Sequence, residues 1–152
     1  MQTIKDLQQE LEKLNSTIER LLEQSRYTMY DDLSGLEYNA AEPEEQLLKE
    51  ELGSILYRLE EVSSTIAYLS RPIKSIGKLH KGSNGRYSFN DIELSSGYGI
   101  EALVPTEVCI NGEWQEGYKW LASRIEHNGE DYYIVGYSGA LEGLTVRVRE
   151  RR

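Results

Sequence analysis

Residues 48–72 read LKEELGSILYRLEEVSSTIAYLSRP, and this stretch decides the fold. Its apolar residues recur at alternating spacings of three and four, which keeps them on one stripe of an α-helix. Proline cannot continue a helix, so Ser70-Arg71-Pro72 ends the pattern. Beyond Pro72 apolar and polar residues alternate, which is the period of a β-strand. The sequence therefore predicts an α+β protein that divides near Pro72.

The segment before Pro72 predicts two helices of about 24 and 27 residues, because its first part repeats the same apolar spacing. Pro43 suits the first turn of the second helix, and Glu44 and Glu45 behind it favour a helix N-terminus. We expect an antiparallel coiled-coil hairpin. Its predicted seam consists of Leu7, Leu11, Leu14, Ile18, Leu52, Ile55, Leu59, Val62 and Ile66.

A hairpin of two helices covers only one side of each apolar seam, so another surface must cover the rest. Either the C-terminal module packs against it, or a second copy of the chain does and forms a four-helix bundle. Heptads this regular are typical of helices that partner one another. We therefore expect a homo-oligomer, with a dimer favoured.

The segment after Pro72 predicts an all-β module. Asn-Gly pairs at 84–85, 111–112 and 128–129 are the preferred sequences of tight hairpin turns. Candidate strands cover 76–81, 86–90, 92–95, 99–104, 107–111, 113–116, 119–127, 131–137 and 144–149, some of which can merge. Aromatic residues expected to fill the module are Tyr87, Tyr98, Trp114, Trp120, Tyr132, Tyr133 and Tyr137. The domains are thus a helical hairpin at 1–72 and a small antiparallel β-barrel or rolled sheet at 73–152.

Most of the negative charge lies where the two helices join. The chain has a formal net charge of −9, and residues 27–51 hold eight acids against one base, Lys49. Acids interspersed with tyrosines can imitate a phosphate backbone and occupy a basic cleft. The predicted partner-binding acidic tip consists of Tyr27, Tyr30, Asp31, Asp32, Glu37, Tyr38, Glu42, Glu44 and Glu45.

A secondary basic surface is predicted at the end of the chain. Arg147 and Arg149 alternate with valines, so this strand has one apolar and one basic face, which Arg151 extends. One interpretation is a solvated edge strand, since charged edges discourage aggregation. The other is a docking surface for nucleic acid or an acidic segment.

The sequence gives little support for catalysis. His80 and His127 each precede a predicted turn, and no second titrating group accompanies either of them. No Walker loop, nucleophile elbow, zinc-protease pair or calcium loop is present, so we expect no enzyme, cofactor or metal. The single Cys109 has no partner for a disulfide and is interpreted as a buried strand residue.

Composition also bounds the compartment and the partners. No signal peptide begins the chain and no apolar run is long enough to span a membrane, so we expect a cytoplasmic protein. With a pI near 4.8 the protein would repel phosphates, so we expect no direct binding to nucleic acid.

The stretch from Gly77 to Val148 contains short blocks of turn, core and strand residues. They are Gly77-Lys78-Leu79, Gly85-Arg86-Tyr87, Ser96-Gly97, Ile100-Glu101-Ala102-Leu103, Asn111-Gly112-Glu113-Trp114, Arg124-Ile125-Glu126, Tyr132-Tyr133-Ile134-Val135-Gly136 and Gly143-Leu144-Thr145-Val146-Arg147. With these blocks it resembles a bacterial domain family of unknown function, found in small proteins often encoded on plasmids, conjugative elements and phages. The resemblance implies a shared fold, a mobile-element origin and a bacterial cytoplasm, and it brings no catalytic residues.

Three classes of function follow from these observations. The leading hypothesis is a non-enzymatic inhibitor, anti-CRISPR-like or anti-restriction-like, whose acidic tip blocks the basic nucleic-acid site of a bacterial nuclease. The second is a structural or oligomerisation adaptor, in which the heptads associate and the β module binds a protein or small ligand. The third is an enzyme or ligand-binding protein with a pocket that joins Tyr98, Trp114 and Arg124.

Overall fold

The computed structural model describes residues 2–27, 33 and 35–151. The chain divides into two compact units, Met1–Arg71 and Pro72–Arg152. The first unit contains helices α1 (Ile4–Gln24) and α2 (Pro43–Ser70). The second contains β1 (Ile73–Lys78), β2 (His80–Lys81), β3 (Tyr87–Phe89), β4 (Ile92–Glu93), β5 (Gly99–Ile110), β6 (Glu113–His127), β7 (Tyr132–Ile134) and β8 (Thr145–Arg149). Two N-terminal helices followed by antiparallel sheets confirm the α+β class.

The helix ends follow local sequence rules. The Thr3 hydroxyl accepts a hydrogen bond from the Asp6 backbone N–H at 3.0 Å, and the Asp6 carboxylate accepts one from the Thr3 N–H at 2.9 Å. This capping box satisfies two amides of the first turn and lowers the pKa of Asp6. Helix α2 begins at Pro43, as predicted, and ends at Ser70, just before Pro72. No described helix is long and apolar enough to cross a membrane.

The two helices form an antiparallel hairpin. Near its base, the Gln8 side-chain amide donates to the Leu69 carbonyl at 3.2 Å, and the Ser70 hydroxyl donates to the Glu12 carboxylate at 3.1 Å. The residues buried along the helices are small, polar or β-branched rather than leucine: Asn15, Ile18, Ser63, Ile66 and Ala67. The hairpin is therefore present, and Leu22, Leu56 and Leu59 are half-buried along it, whereas coiled-coil packing of the predicted seam is not confirmed.

Leu33 anchors the described part of the connection between the helices. Its side chain is only 2% exposed although it lies in a loop, and its φ is +64°. Its methyl carbon Cδ1 lies against Gly53 of α2, at 3.8 Å from the position that a Cβ there would take, which is an ordinary van der Waals distance. Leu33 thus attaches the connection to α2 at Gly53.

The β unit contains two antiparallel sheets. One has five strands in the order β1-β8-β5-β6-β7, and the other has three in the order β2-β3-β4. Among the described strands, β1 and β7 end the larger sheet without pairing to each other, so a closed barrel is not shown. The predicted segments 99–104 and 107–111 merge into β5, and 113–116 and 119–127 merge into β6.

Strands β5 and β6 form a long hairpin through the predicted Asn-Gly turn. Asn111 and Gly112 have φ values of +52° and +80°, which is the geometry that favours this pair in a two-residue turn.

The core of the β unit is a cluster of buried apolar side chains. It consists of Leu79, Tyr87, Phe89, Leu94, Ile100, Ala102, Val104, Ile125, Ile134, Leu141, Val146 and Val148.

Candidate protein-binding surfaces

The hairpin exposes two rows of apolar side chains, which we call the leucine face. It consists of Leu7, Leu14 and Leu21 on α1 and Leu48, Ile55, Val62 and Leu69 on α2, each between 43% and 50% exposed. Leu11 at 38% and Leu52 at 47% widen it. Of the nine residues of the predicted seam, only Ile18 and Ile66 are buried and Leu59 is half-buried. Most of the predicted seam is thus an open surface.

The two rows lie on the same side of the hairpin. On α1, each leucine of the row precedes by one residue a covered position, namely Gln8, Asn15 and Leu22. On α2, Leu48, Ile55 and Val62 likewise precede the covered residues Lys49, Leu56 and Ser63. One residue is a rotation of about 100° about the helix axis. Each row is therefore turned by about 100° away from the covered residues that face the other helix. Because the two helices run in opposite directions, these equal rotations place both rows on the same side of the hairpin.

The rows also share a register. The bond from Gln8 to the Leu69 carbonyl places the start of α1 beside the end of α2. Counting heptads from there along opposite directions pairs Leu7 with Leu69, Leu14 with Val62 and Leu21 with Ile55, in layers about 10.5 Å apart. The leucine face is therefore one continuous apolar strip.

The acidic tip is described in part. Tyr30, Asp31 and Asp32 lie outside the described residues. Glu37, Glu42 and Glu44 are exposed, and Tyr38 and Glu45 are half-buried. An open pocket of about 190 Å³ at the tip is lined by Leu33, Leu36, Glu37, Tyr38, Glu45, Leu48, Lys49 and Leu52. The structure thus brings three predicted tip residues together, and their pocket adjoins the leucine face at Leu48.

Contacts within the chain already engage part of this tip. The Lys49 ammonium lies 5.2 Å from the centre of the Tyr38 ring, and the Glu45 carboxylate accepts a hydrogen bond from the Asn39 N–H at 3.2 Å. Tyr27 has a different environment, because partial burial and then the charge of Glu60 raise its pKa. Tyr27 is not among the residues that line the pocket.

The interpretation of the C-terminal strand as an edge is wrong. Strand β8 lies between β1 and β5, so both of its edges are paired. Its arginines flank Glu101, which is 3% exposed: Arg147 Nη2 lies 2.7 Å and Arg149 Nε 2.5 Å from the carboxylate oxygens. The Arg147 guanidinium also lies 4.1 Å from the centre of the Trp120 ring. These two arginines mainly compensate a buried charge.

The third arginine of the predicted basic surface has an aromatic contact. The Arg151 guanidinium lies 4.3 Å from the centre of the Tyr98 ring. A guanidinium over a ring is held by the ring's quadrupole and still presents its edge to solvent. Arg151, which is exposed, is therefore the member of the basic surface that remains most accessible.

The distal part of the β5–β6 hairpin is a surface that the sequence analysis missed. Trp114 is 72% and Tyr118 68% exposed, although the aromatic residues were expected to fill the module. Cys109, which pairs with Trp114 across the strands, is also exposed rather than buried. Arg124 pairs with Gly99 at the other end of the hairpin, about 33 Å along the strand from Trp114. A pocket that joins Tyr98, Trp114 and Arg124 is therefore not formed.

The expectation that no titrating group accompanies the histidines is wrong for His80, which is exposed in β2 beside Glu142. His80 Nδ1 lies 2.9 Å from the Glu142 carboxylate, whose second oxygen accepts from the Lys81 N–H at 2.9 Å. These contacts lower the pKa of Glu142. His127 Nδ1 accepts from the Gly129 N–H at 3.0 Å. In the described part of the chain, no group of three or more His, Cys, Asp or Glu side chains is placed to hold a metal ion.

Comparison with known proteins gives one result, and it concerns the β unit. A family model described as a domain of unknown function, DUF5348, matches residues 77–148. No curated protein and no solved structure matches the chain. The match covers every strand from β2 to β7, the end of β1 and most of β8. The β unit thus contains a DUF5348 domain of unknown function. Its range, residues 77–148, is the same as that of the blocks that resemble a domain family in the sequence.

Proposed function

We propose that this chain is a non-enzymatic adaptor of the bacterial cytoplasm, whose helical hairpin docks onto an apolar protein surface through the leucine face. The observation that carries the proposal is the pair of half-exposed apolar rows on one side of the hairpin. A contiguous apolar patch of this length is characteristic of an interaction surface. The DUF5348 domain is the second module, which the docked hairpin holds in place.

The energetics favour docking through this face. Burying the exposed half of one leucine side chain contributes roughly 1 kcal/mol, since full burial contributes about 1.5–3 kcal/mol. The seven residues of the face then contribute about 7 kcal/mol, against the cost of association. The aligned heptads suit an α-helical partner, whose own apolar residues fit between successive layers.

A capture experiment tests this proposal. The tagged chain is used to capture proteins, at low and at high salt, from a lysate of bacteria that also express the untagged chain, alongside Leu14→Glu and a matched control, Ser16→Glu. The control adds the same charge to an exposed position on the other side of α1. We expect Leu14→Glu to lose capture at both salt concentrations, because apolar docking does not depend on ion screening. Equal capture by all three proteins contradicts the proposal.

A second candidate function rests on the acidic tip. Glu37, Glu42 and Glu44 are exposed, and Glu37 lines a pocket together with Tyr38 and Glu45. This combination supports an inhibitor, of the kind that mobile elements and phages encode, which occupies the basic nucleic-acid site of a nuclease. The carboxylates would attract the partner from a distance, and Tyr38 would make the desolvated contact.

Charge reversal separates the two candidates. A variant with Glu37, Glu42, Glu44 and Glu45 all changed to lysine should lose binding to a basic partner, and the binding of the unchanged chain should weaken steeply with salt. Leu14→Glu should leave that interaction intact. If charge reversal changes neither binding nor its salt dependence, the tip has no such role.

A further inference from the structure

We infer that the occupant of the leucine face is a second copy of this chain, which packs its own leucine face against the first in a two-fold four-helix bundle. The inference rests on the proposed function, because it names the partner of the same surface. A two-fold axis brings the same patch of both subunits together, so the patch must complement itself. The leucine face meets this condition in its spacing, its area and its charge.

The spacing is equal on the two helices. Each row repeats every seven residues, Leu7 to Leu14 to Leu21 on α1 and Ile55 to Val62 to Leu69 on α2. The layers that the two rows form together are spaced at the same interval. The apolar side chains of either helix of a second copy therefore fit into the gaps between the layers of the first copy. This match favours a partner that has the same heptads, as in antiparallel four-helix bundles.

The area is that of a stable dimer. The nine apolar residues of the face and its flanks have exposed fractions between 38% and 50%. Together they offer on the order of 700 Å² per protomer, close to the roughly 800 Å² that each partner of a standard interface buries. A monomer rarely leaves a patch larger than about 600 Å² in water.

The charge at the edges of the face is sparse and mixed. The helix positions that lie three residues after or four residues before a member of the rows flank the face: Glu10, Thr17 and Gln24 on α1 and Glu44, Glu51, Arg58 and Thr65 on α2. Three acids and one base leave a small excess of like charge between identical faces, and Glu44 lies at the end that adjoins the acidic tip. A second copy therefore meets only a small electrostatic barrier along most of the face.

The interface between α1 and α2 explains why the face remains available. Asn15 is 93% covered by the hairpin, and its side-chain oxygen accepts no hydrogen bond. A polar, small-residue interface of this kind leaves the leucines of both helices on the outside. A buried asparagine is also a residue that fixes helix register at a cost in stability. The hairpin alone is thus a poorly stabilised unit that a second copy completes.

Sedimentation equilibrium of the full chain tests the inference. Over about 1–100 μM, the range in which micromolar dimers dissociate, the mass should rise above the 17.4 kDa of the monomer. Leu14→Glu, at the centre of the face, should weaken association at least about 100-fold. Ser16→Glu should leave it unchanged. Leu14→Ala, which keeps the highest helix propensity and so tests the face without unfolding the helix, should weaken it about 10-fold.

The outcomes are distinct. A monomer at every concentration overturns the second copy as occupant, and a different protein or the β unit of the same chain then covers the face. A dimer that survives both Leu14 variants places the interface elsewhere and also overturns the inference. The proposed function fails separately, when Leu14→Glu captures lysate proteins as well as the unchanged chain does. A monomeric chain whose capture needs Leu14 retains the function and loses only the inference.

Discussion

At the scale of single residues, Glu101 shows how tertiary structure reverses a sequence interpretation. The alternation of arginine and valine in β8 is typical of an edge strand, with the arginines in water. In the structure the side chains of Arg147 and Arg149 are only 20% and 14% exposed, because the carboxylate of Glu101 lies between them. The pairing partner lies 46 residues away from Arg147 in sequence, so local pattern does not reveal it.

Removing this carboxylate should destabilise the β unit. Glu101→Ala removes the carboxylate that lies between two largely covered guanidinium groups, which costs about 3 kcal/mol. Glu107→Ala is the control, because Glu107 is exposed on the same strand and its loss should change stability by less than about 0.5 kcal/mol. Urea unfolding followed by tryptophan fluorescence measures both. Equal stabilities would contradict the structural role of Glu101.

A second residue-scale prediction concerns pH. Hydrogen bonds from His80 and then from the Lys81 N–H hold the pKa of Glu142 below its ordinary value of 4.5. A carboxyl group whose pKa is lowered by folding contributes stability that is fully present above about pH 4.5. This stability is lost as the pH falls through the folded-state pKa. Glu142→Gln should therefore lower the melting temperature at pH 7, and the difference from the unchanged chain should shrink below pH 4.5.

The matched control for this pH effect is Glu130→Gln. Glu130 is exposed in the turn between β6 and β7, so its neutralisation should leave both the melting temperature and its pH dependence unchanged. If the melting temperature of Glu142→Gln is lower than that of the unchanged chain by the same amount at pH 7 and pH 4, the Glu142 side chain stabilises by its shape rather than by its charge.

At the scale of secondary structure elements, the two helices show what periodicity can and cannot specify. The heptads predict both helices. Pro43 and the sequence Ser70-Arg71-Pro72 predict where α2 begins and ends. Only part of the predicted stripe, Ile18, Leu59 and Ile66, is covered, and the small or polar residues Asn15, Ser63 and Ala67 of a neighbouring stripe are buried beside it. The signal that sequence reasoning overlooked is this second heptad of small and polar residues beside the leucines.

Replacing the buried asparagine tests the packing of this element. Asn15→Leu removes a covered carbonyl oxygen that has no partner, so it should stabilise the hairpin by about 1 kcal/mol. The control Gln9→Leu changes an exposed position of α1 and should have little effect. Helical circular dichroism during thermal unfolding measures the change. A destabilised Asn15→Leu variant would indicate that the hydrogen bond from Asn15 Nδ2 to the Glu19 carboxylate, at 3.1 Å, outweighs the cost of the oxygen without a partner.

The strands repeat this lesson. Local turn signals locate the hairpins, and Asn111-Gly112 forms the turn between β5 and β6 as predicted. Strand lengths are not set locally, because β5 and β6 continue through Pro105 and Gly117 by pairing with each other. A Cβ on Gly117 would lie 2.7 Å from a methyl carbon of Val108, so glycine permits this close pairing.

At the scale of the whole molecule, the two units differ in how much core they possess. The apolar cluster of the β unit contains twelve buried residues, whereas the buried apolar residues of the described hairpin are Ile18, Leu33, Ile66 and Ala67. A small core gives little stability of its own. The hairpin should therefore be the less stable of the two units, and the partner that we propose for its leucine face should stabilise it.

This difference predicts two unfolding transitions that separate probes can follow. Both helices lie in the first unit, and both tryptophans, Trp114 and Trp120, lie in the second. Helical circular dichroism should report a lower midpoint than tryptophan fluorescence. Only the helical midpoint should rise with protein concentration, because association stabilises the folded hairpin by mass action.

The Leu14→Glu variant is the control for this concentration dependence. Its helical midpoint should be the same at all protein concentrations, and its fluorescence midpoint should equal that of the unchanged chain. A single transition, coincident by both probes and independent of concentration, would show that the chain unfolds as one cooperative monomer.

The sequence by itself determined the class of this protein, the division near Pro72, the ends of α2 and the turn at Asn111-Gly112. These features depend on period, proline and glycine geometry, which act over a few residues. The blocks between Gly77 and Val148 likewise sufficed to relate the β unit to a domain family.

Only the tertiary structure decided which apolar stripe joins the helices, where β8 lies in the sheet, and that Trp114 and Cys109 face solvent. Each of these depends on contacts between residues far apart in sequence, and several side chains of similar hydropathy compete for the same covered positions. Packing settles that competition by shape. Here Asn15, Ser63 and Ala67 are buried in the hairpin, and the leucines of the two rows are left exposed.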